Sequence, residues 1–153
     1  MRHVARLLTA LAVAFALLPH AAAAQADPRL ESLKGEALQM VEARSKMVQE
    51  IIDMLFSFGE LGMQEFETQR YLTGLLEDAG FEIELGVAGM PSAWTARWSN
   101  GTGEPVIAMG SDVDGIPQSN QKPGVVNPDP IIAGARGHGE GRHTGMPLQV
   151  GAA

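Results

Sequence analysis

Cysteine is absent from the 153 residues. That excludes disulfides and thiolate metal sites alike. Basic side chains are few: 11 Lys and Arg stand against 18 Asp and Glu, for a net charge of −7. Nucleic acid and anionic membrane surfaces both require a basic face, so neither is an expected partner. Long apolar runs are also lacking. The longest, Leu7 to Leu18, is interrupted only by Thr9 and falls short of the roughly 20 residues that cross a bilayer. Histidine is scarce, and beyond residue 26 only His138 and His143 occur. The remaining composition, 45% apolar and 19% charged, is that of a globular chain rather than a disordered one.

The short apolar run has its own meaning. Arg2 and Arg6 precede it, and the small residues Ala21 to Ala26 follow it. Charge, apolar core and small-residue segment in that order read as an export signal, with cleavage near Ala24 or Ala26. The expectation is a signal peptide over residues 1–26, a periplasmic or secreted product, and no stable membrane anchor after cleavage.

Residues 27–112 carry clear periodicity. Paired apolar positions at Met40/Val41, Met47/Val48, Ile51/Ile52 and Leu55 predict an amphipathic helix from Leu30 to Phe58 laid on a core and ended by Gly59 or Gly62. Tyr71, Leu72, Leu75, Leu76 and Ala79 predict a second helix over Gln64 to Ala79, with Gly80 as its C-terminal cap. Phe81, Ile83, Leu85 and Val87 alternate with polar or small residues, as do Trp94, Ala96 and Trp98, which predicts two half-buried strands. The continuous run Val106 to Met109 predicts an inner strand covered on both faces. The fold class is therefore α/β, an incomplete mixed sheet with packing helices. Residues 113–145 show little periodicity, and a structureless loop is expected between Pro117 and Arg142.

Chemistry is expected where the inner strand ends, since ligand sites of open α/β sheets lie outside strand C-termini. Asp112 and Asp114, two residues apart, face the same side of extended backbone. Two neighbouring carboxylates repel unless a cation or proton relieves them. The pair reads either as a divalent-cation site or as a solvated acidic turn. A second cluster, Gly137-His138-Gly139-Glu140-Gly141-Arg142-His143-Thr144-Gly145, holds imidazole and carboxylate donors between glycines. It reads either as a metal site or as a glycine-rich loop with incidental histidines. No Lys-Ser or Lys-Thr follows the glycines, so it is not a phosphate loop.

Asp112-Val113-Asp114-Gly115-Ile116-Pro117, then His138-Gly139-Glu140-Gly141 after some twenty residues, resembles the zinc-dependent aminoacylase and carboxypeptidase-type metallopeptidase superfamily. Gly59-Glu60-Leu61-Gly62, Glu65 to Gly80, and Gly86-Val87-Ala88-Gly89-Met90-Pro91 place the resemblance in the amidohydrolase branch that includes aminobenzoyl-glutamate utilisation proteins. The resemblance implies a metallohydrolase catalytic domain acting on a small amide or peptide-like substrate with zinc, Mn or Co. It implies Asp112, Glu140 and His143 as candidate metal ligands and Asp114 as the catalytic aspartate that orients the site. The ligand histidine expected at 142 is replaced by Arg142, which stays protonated and donates no lone pair. His143 stands one residue later. The family's Glu-Glu general base, later ligands and dimerisation domain would lie past Ala153. Residues 27–153 are thus expected to be a truncated N-terminal part of the catalytic domain, inactive as it stands. The alternative is a non-catalytic exported module that binds metal or a partner.

Overall fold

The computed structural model of the protein describes residues 27–102 and 104–153. The expected signal peptide lies outside the described residues. The chain divides into two compact units, Met1–Ala37 and Leu38–Ala153. Of the first, the described part is the start of helix α1, Pro28–Phe58. Its exposed side chains are tied along the helix by Lys34 Nζ to Glu31 Oε1 at 2.8 Å.

The second unit holds the rest of α1, helix α2 (Phe66–Asp78), strands β1 (Glu82–Leu85) and β2 (Trp94–Arg97), and helix α3 (Gly145–Ala152). This is an α/β arrangement, as expected. The strands pair antiparallel, with Glu82 opposite Arg97 and Leu85 opposite Trp94. Helix α2 stops where the sequence indicates. Gly80 takes a φ of +89°, Phe81 N–H donates to Leu76 O at 3.0 Å, and Gly80 N–H donates to Glu77 O at 2.9 Å. These are the two bonds of a Schellman cap, which a residue with a side chain at position 80 would strain.

Ile51 and Leu55 of α1 and Leu72 of α2 form the buried core. Tyr71, Leu75, Trp94, Val113, Met146 and Val150 pack around them. Helices α1, α2 and α3 and strand β2 each send a side chain to this cluster, and so does the segment that carries Asp112 and Asp114.

Three expectations are corrected. Helix α1 lies on the core only through its C-terminal part, since Met40 and Val41 are 51% and 69% exposed. An apolar stripe records a capacity for burial without supplying the surface that covers it. Val106 to Met109 forms no strand, and Val106 is 85% exposed. A strand needs a neighbour for its backbone groups, and among the described residues β1 and β2 pair with each other alone. The segment between Pro117 and Arg142 holds no helix or strand, as expected, but it is tied by its own hydrogen bonds rather than disordered. Ile116 and Gly137 exchange two backbone hydrogen bonds, at 2.9 and 3.2 Å. Asn120 N–H donates to Ala135 O at 3.1 Å, and Lys122 N–H to Asp129 O at 3.0 Å. Asn120 Oδ1 accepts from Ile132 N–H at 2.8 Å. The segment is a closed excursion with a defined neck. Gly137 suits that neck, because a Cβ there would stand 2.9 Å from Asn120 Cα.

Candidate active site

The acidic pair is placed by what lies between its members. Val113 packs on the core, so Asp112 and Asp114 turn to the opposite side of the backbone. The segment is pinned immediately afterwards, where Gly115 forms a parallel bridge with Leu61. Asp114 therefore sits over the turn that follows α1, and a Cβ at Gly62 would be 3.8 Å from Asp114 Oδ2. The turn is itself held by Glu60. This buried carboxylate accepts from Glu67 N–H at 3.0 Å and from Thr68 N–H at 2.8 Å, capping α2 from outside the helix. The sequence marked Glu60 only as part of a motif; its capping role has no short-range signature, because it lies five residues before the N-cap position Glu65.

The glycine-rich cluster reaches the same place from the other direction. It leaves the neck at Gly137, passes through the 3-10 turn Arg142–Thr144, and enters α3. Met146 and Val150 fasten α3 to the core, and Gln149 Nε2 donates to Gly110 O at 3.0 Å. Arg142 then meets the acidic pair. Its Nη1 is 3.0 Å from both Asp114 carboxylate oxygens, and its Nε is 3.4 Å from Asp112 Oδ2. The hydrogen bond to Asp114, then the charges of Asp114 and Asp112, raise the pKa of the guanidinium further.

The remaining candidates gather elsewhere. His138 is 3% exposed, and neither ring nitrogen has a hydrogen-bond partner among the described residues. Its ring centroid is 4.9 Å from that of His143, which also packs against Phe56 at 5.3 Å. Glu140 Oε1 is 3.6 Å from His138 Nδ1. Burial, then the neighbouring His138, holds His143 below the ordinary imidazole range, while Glu140 and Asp53 oppose the shift. These side chains border a cleft of about 400 Å³ that Ile52, Phe56 and Lys122 also line.

The structure thus brings Asp112 and Asp114 together around Arg142, and Glu140 and His143 together around His138. Among the described residues, no three His, Asp or Glu side chains converge into a group fit to hold a metal ion. The donor set does not fit the ion that the motifs imply: the carboxylates face a fixed cation, and a closed or catalytic zinc site needs three or four donors on one centre.

The chain is similar to one of the subunits of p-aminobenzoyl-glutamate hydrolase from Escherichia coli (strain K12), with 32% identity over 103 residues. The match takes in 67% of this chain and 21% of that protein, so the chain spans about a fifth of the length of the curated relative it matches. No protein-family model matches the chain, and no solved structure matches it. The similarity supports a distant aminobenzoyl-glutamate hydrolase-like relationship.

Proposed function

We propose that the chain carries the opening part of a hydrolase that cleaves an amide bond in a small amino-acid conjugate of the p-aminobenzoyl-glutamate kind. The observation that carries the reading is the 103-residue similarity to part of a known hydrolase. In that reading Asp112, Asp114, Glu140 and His143 descend from a divalent-metal site using zinc, Mn or Co, and Asp114 is the orienting aspartate. The chain alone performs no turnover, because amide hydrolysis needs a polarised carbonyl, an activated water and a base. Here both aspartates are engaged by a guanidinium.

A graft tests this reading. The chain replaces its matched stretch in the relative, and release of glutamate from p-aminobenzoyl-glutamate is followed with Zn²⁺ or Mn²⁺ added. The unmodified graft should be inactive, and Arg142→His should raise the rate by at least tenfold, on the scale of roughly 1.4 kcal/mol per decade. A folded Arg142→His graft without activity sinks the hydrolase reading. An unmodified graft that already turns over sinks the inactivity.

Export is proposed on the order of charge, apolar run and small residues at the N-terminus. Among the described residues no helix is long and apolar enough to cross a membrane. Periplasmic protein should begin near Gln25 or Asp27 by mass spectrometry; material that begins at Met1 contradicts cleavage.

A further inference from the structure

We propose that Arg142 is the resident cation of the Asp112–Asp114 pair, so that this chain joins its two motif segments by a guanidinium and needs no metal ion to do so. Three contacts carry the inference: Nη1 to each Asp114 oxygen at 3.0 Å, and Nε to Asp112 Oδ2 at 3.4 Å. Val113, held in the core, keeps both carboxylates on one side. The two like charges need a positive partner, and the planar guanidinium offers several donors at once. Its charge cannot be lost by deprotonation in the physiological range.

The clamp links residues 28 positions apart. It stands beside the neck formed by Ile116 and Gly137 and closes the same excursion one step further out. Arg142 is in this sense a positioning residue. It fixes the 142–144 turn against the acidic segment and so sets where α3 begins. A divalent ion approaching the pair meets a fixed like charge and must first displace Arg142. Metal content and melting, rather than activity, decide whether the clamp holds, so its failure is separate from failure of the hydrolase reading.

The full chain, purified and dialysed against EDTA, should contain no stoichiometric zinc or manganese by elemental analysis. Its Tm should be unchanged when Zn²⁺ or Mn²⁺ is added. Rising NaCl should weaken the clamp, because its partners are part-exposed and screened by salt, so the Tm advantage of the native chain over Asp112→Asn/Asp114→Asn should shrink as salt is added. Arg142→His should bind zinc at least tenfold more tightly than the native chain by calorimetry. One retained metal equivalent in the native protein, or a Tm that rises with either metal, overturns the proposal. So does a Tm difference from the double variant that salt leaves unchanged, or equal zinc affinity in the native chain and Arg142→His. If Arg142→His fails to fold, the native metal content and the salt comparison with the double variant still decide the question.

Discussion

Replacing Leu55 with alanine should cost the protein about 3 kcal/mol of stability, within the range of roughly 2–5 kcal/mol for buried leucines. Leu55 is fully buried, with 0% exposure, and lies between Ile51 and Leu72 at the one cluster to which α1, α2, β2, Val113 and α3 all contribute. Removing three methyl-scale groups there forfeits transfer energy and leaves a cavity that five segments would have to move to fill. For a chain of this size the loss corresponds to a fall in Tm of roughly 10 °C. Because Val113 is among the neighbours, the acidic pair should loosen along with the core, and the salt response of the Arg142 clamp should weaken in the variant. Denaturant unfolding checks the magnitude. A loss below about 1 kcal/mol would show that the cluster is not the centre of the fold.

Glu60→Ala is expected to have the second-largest effect, about 2 kcal/mol. The carboxylate serves two N–H groups of the first turn of α2, at positions that have no partner within the helix. An acceptor at this end is worth roughly 0.5–2 kcal/mol as a cap, and the negative charge is favoured there by the helix dipole. Glu67 and Thr68 cannot replace it, and the N-cap position Glu65 makes no side-chain cap bond. Glu60→Gln keeps one acceptor but loses the charge and turns an NH2 donor toward the second N–H, so it should recover only part of the loss. The main-chain bond from Gly115 N–H to Glu60 O survives in both variants. The comparison therefore isolates the side chain. Equal stability of Glu60→Ala and the native protein would mean that water caps α2 just as well.

Much of the local architecture was legible because its signals are short-range. Gly59 and Gly80 mark helix ends, and alternation marks β1 and β2 to within a residue or two. Val106 to Met109 misled for a physical reason. A continuous apolar run states that burial on both faces would be favourable, but it does not name the neighbour that would provide the burial. The closed excursion was illegible because its ties are isolated backbone bonds between residues far apart in sequence, supplemented by the side-chain amides of Asn120 and Gln121 bonding backbone several residues away. Such bonds leave no periodicity. At the site, the two acidic residues were readable from their spacing, and Arg142 stood out as a departure from the histidine that the family resemblance implies there. That the arginine itself reaches both carboxylates was not readable, because that contact depends on where Met146 and Val150 anchor α3.

The neck at Ile116 and Gly137 gives the excursion a freedom that the rest of the second unit lacks. The chain ends of this lobe are already brought together by backbone bonds, so the closure entropy is met at its base. Lengthening the tip then costs only about 0.6 kcal/mol for each doubling of the loop. Val126 at the tip is 98% exposed, the kind of position that accepts a nick or an inserted peptide. The lobe is a handle for attaching a tag without disturbing the arms that carry Asp114 and Arg142.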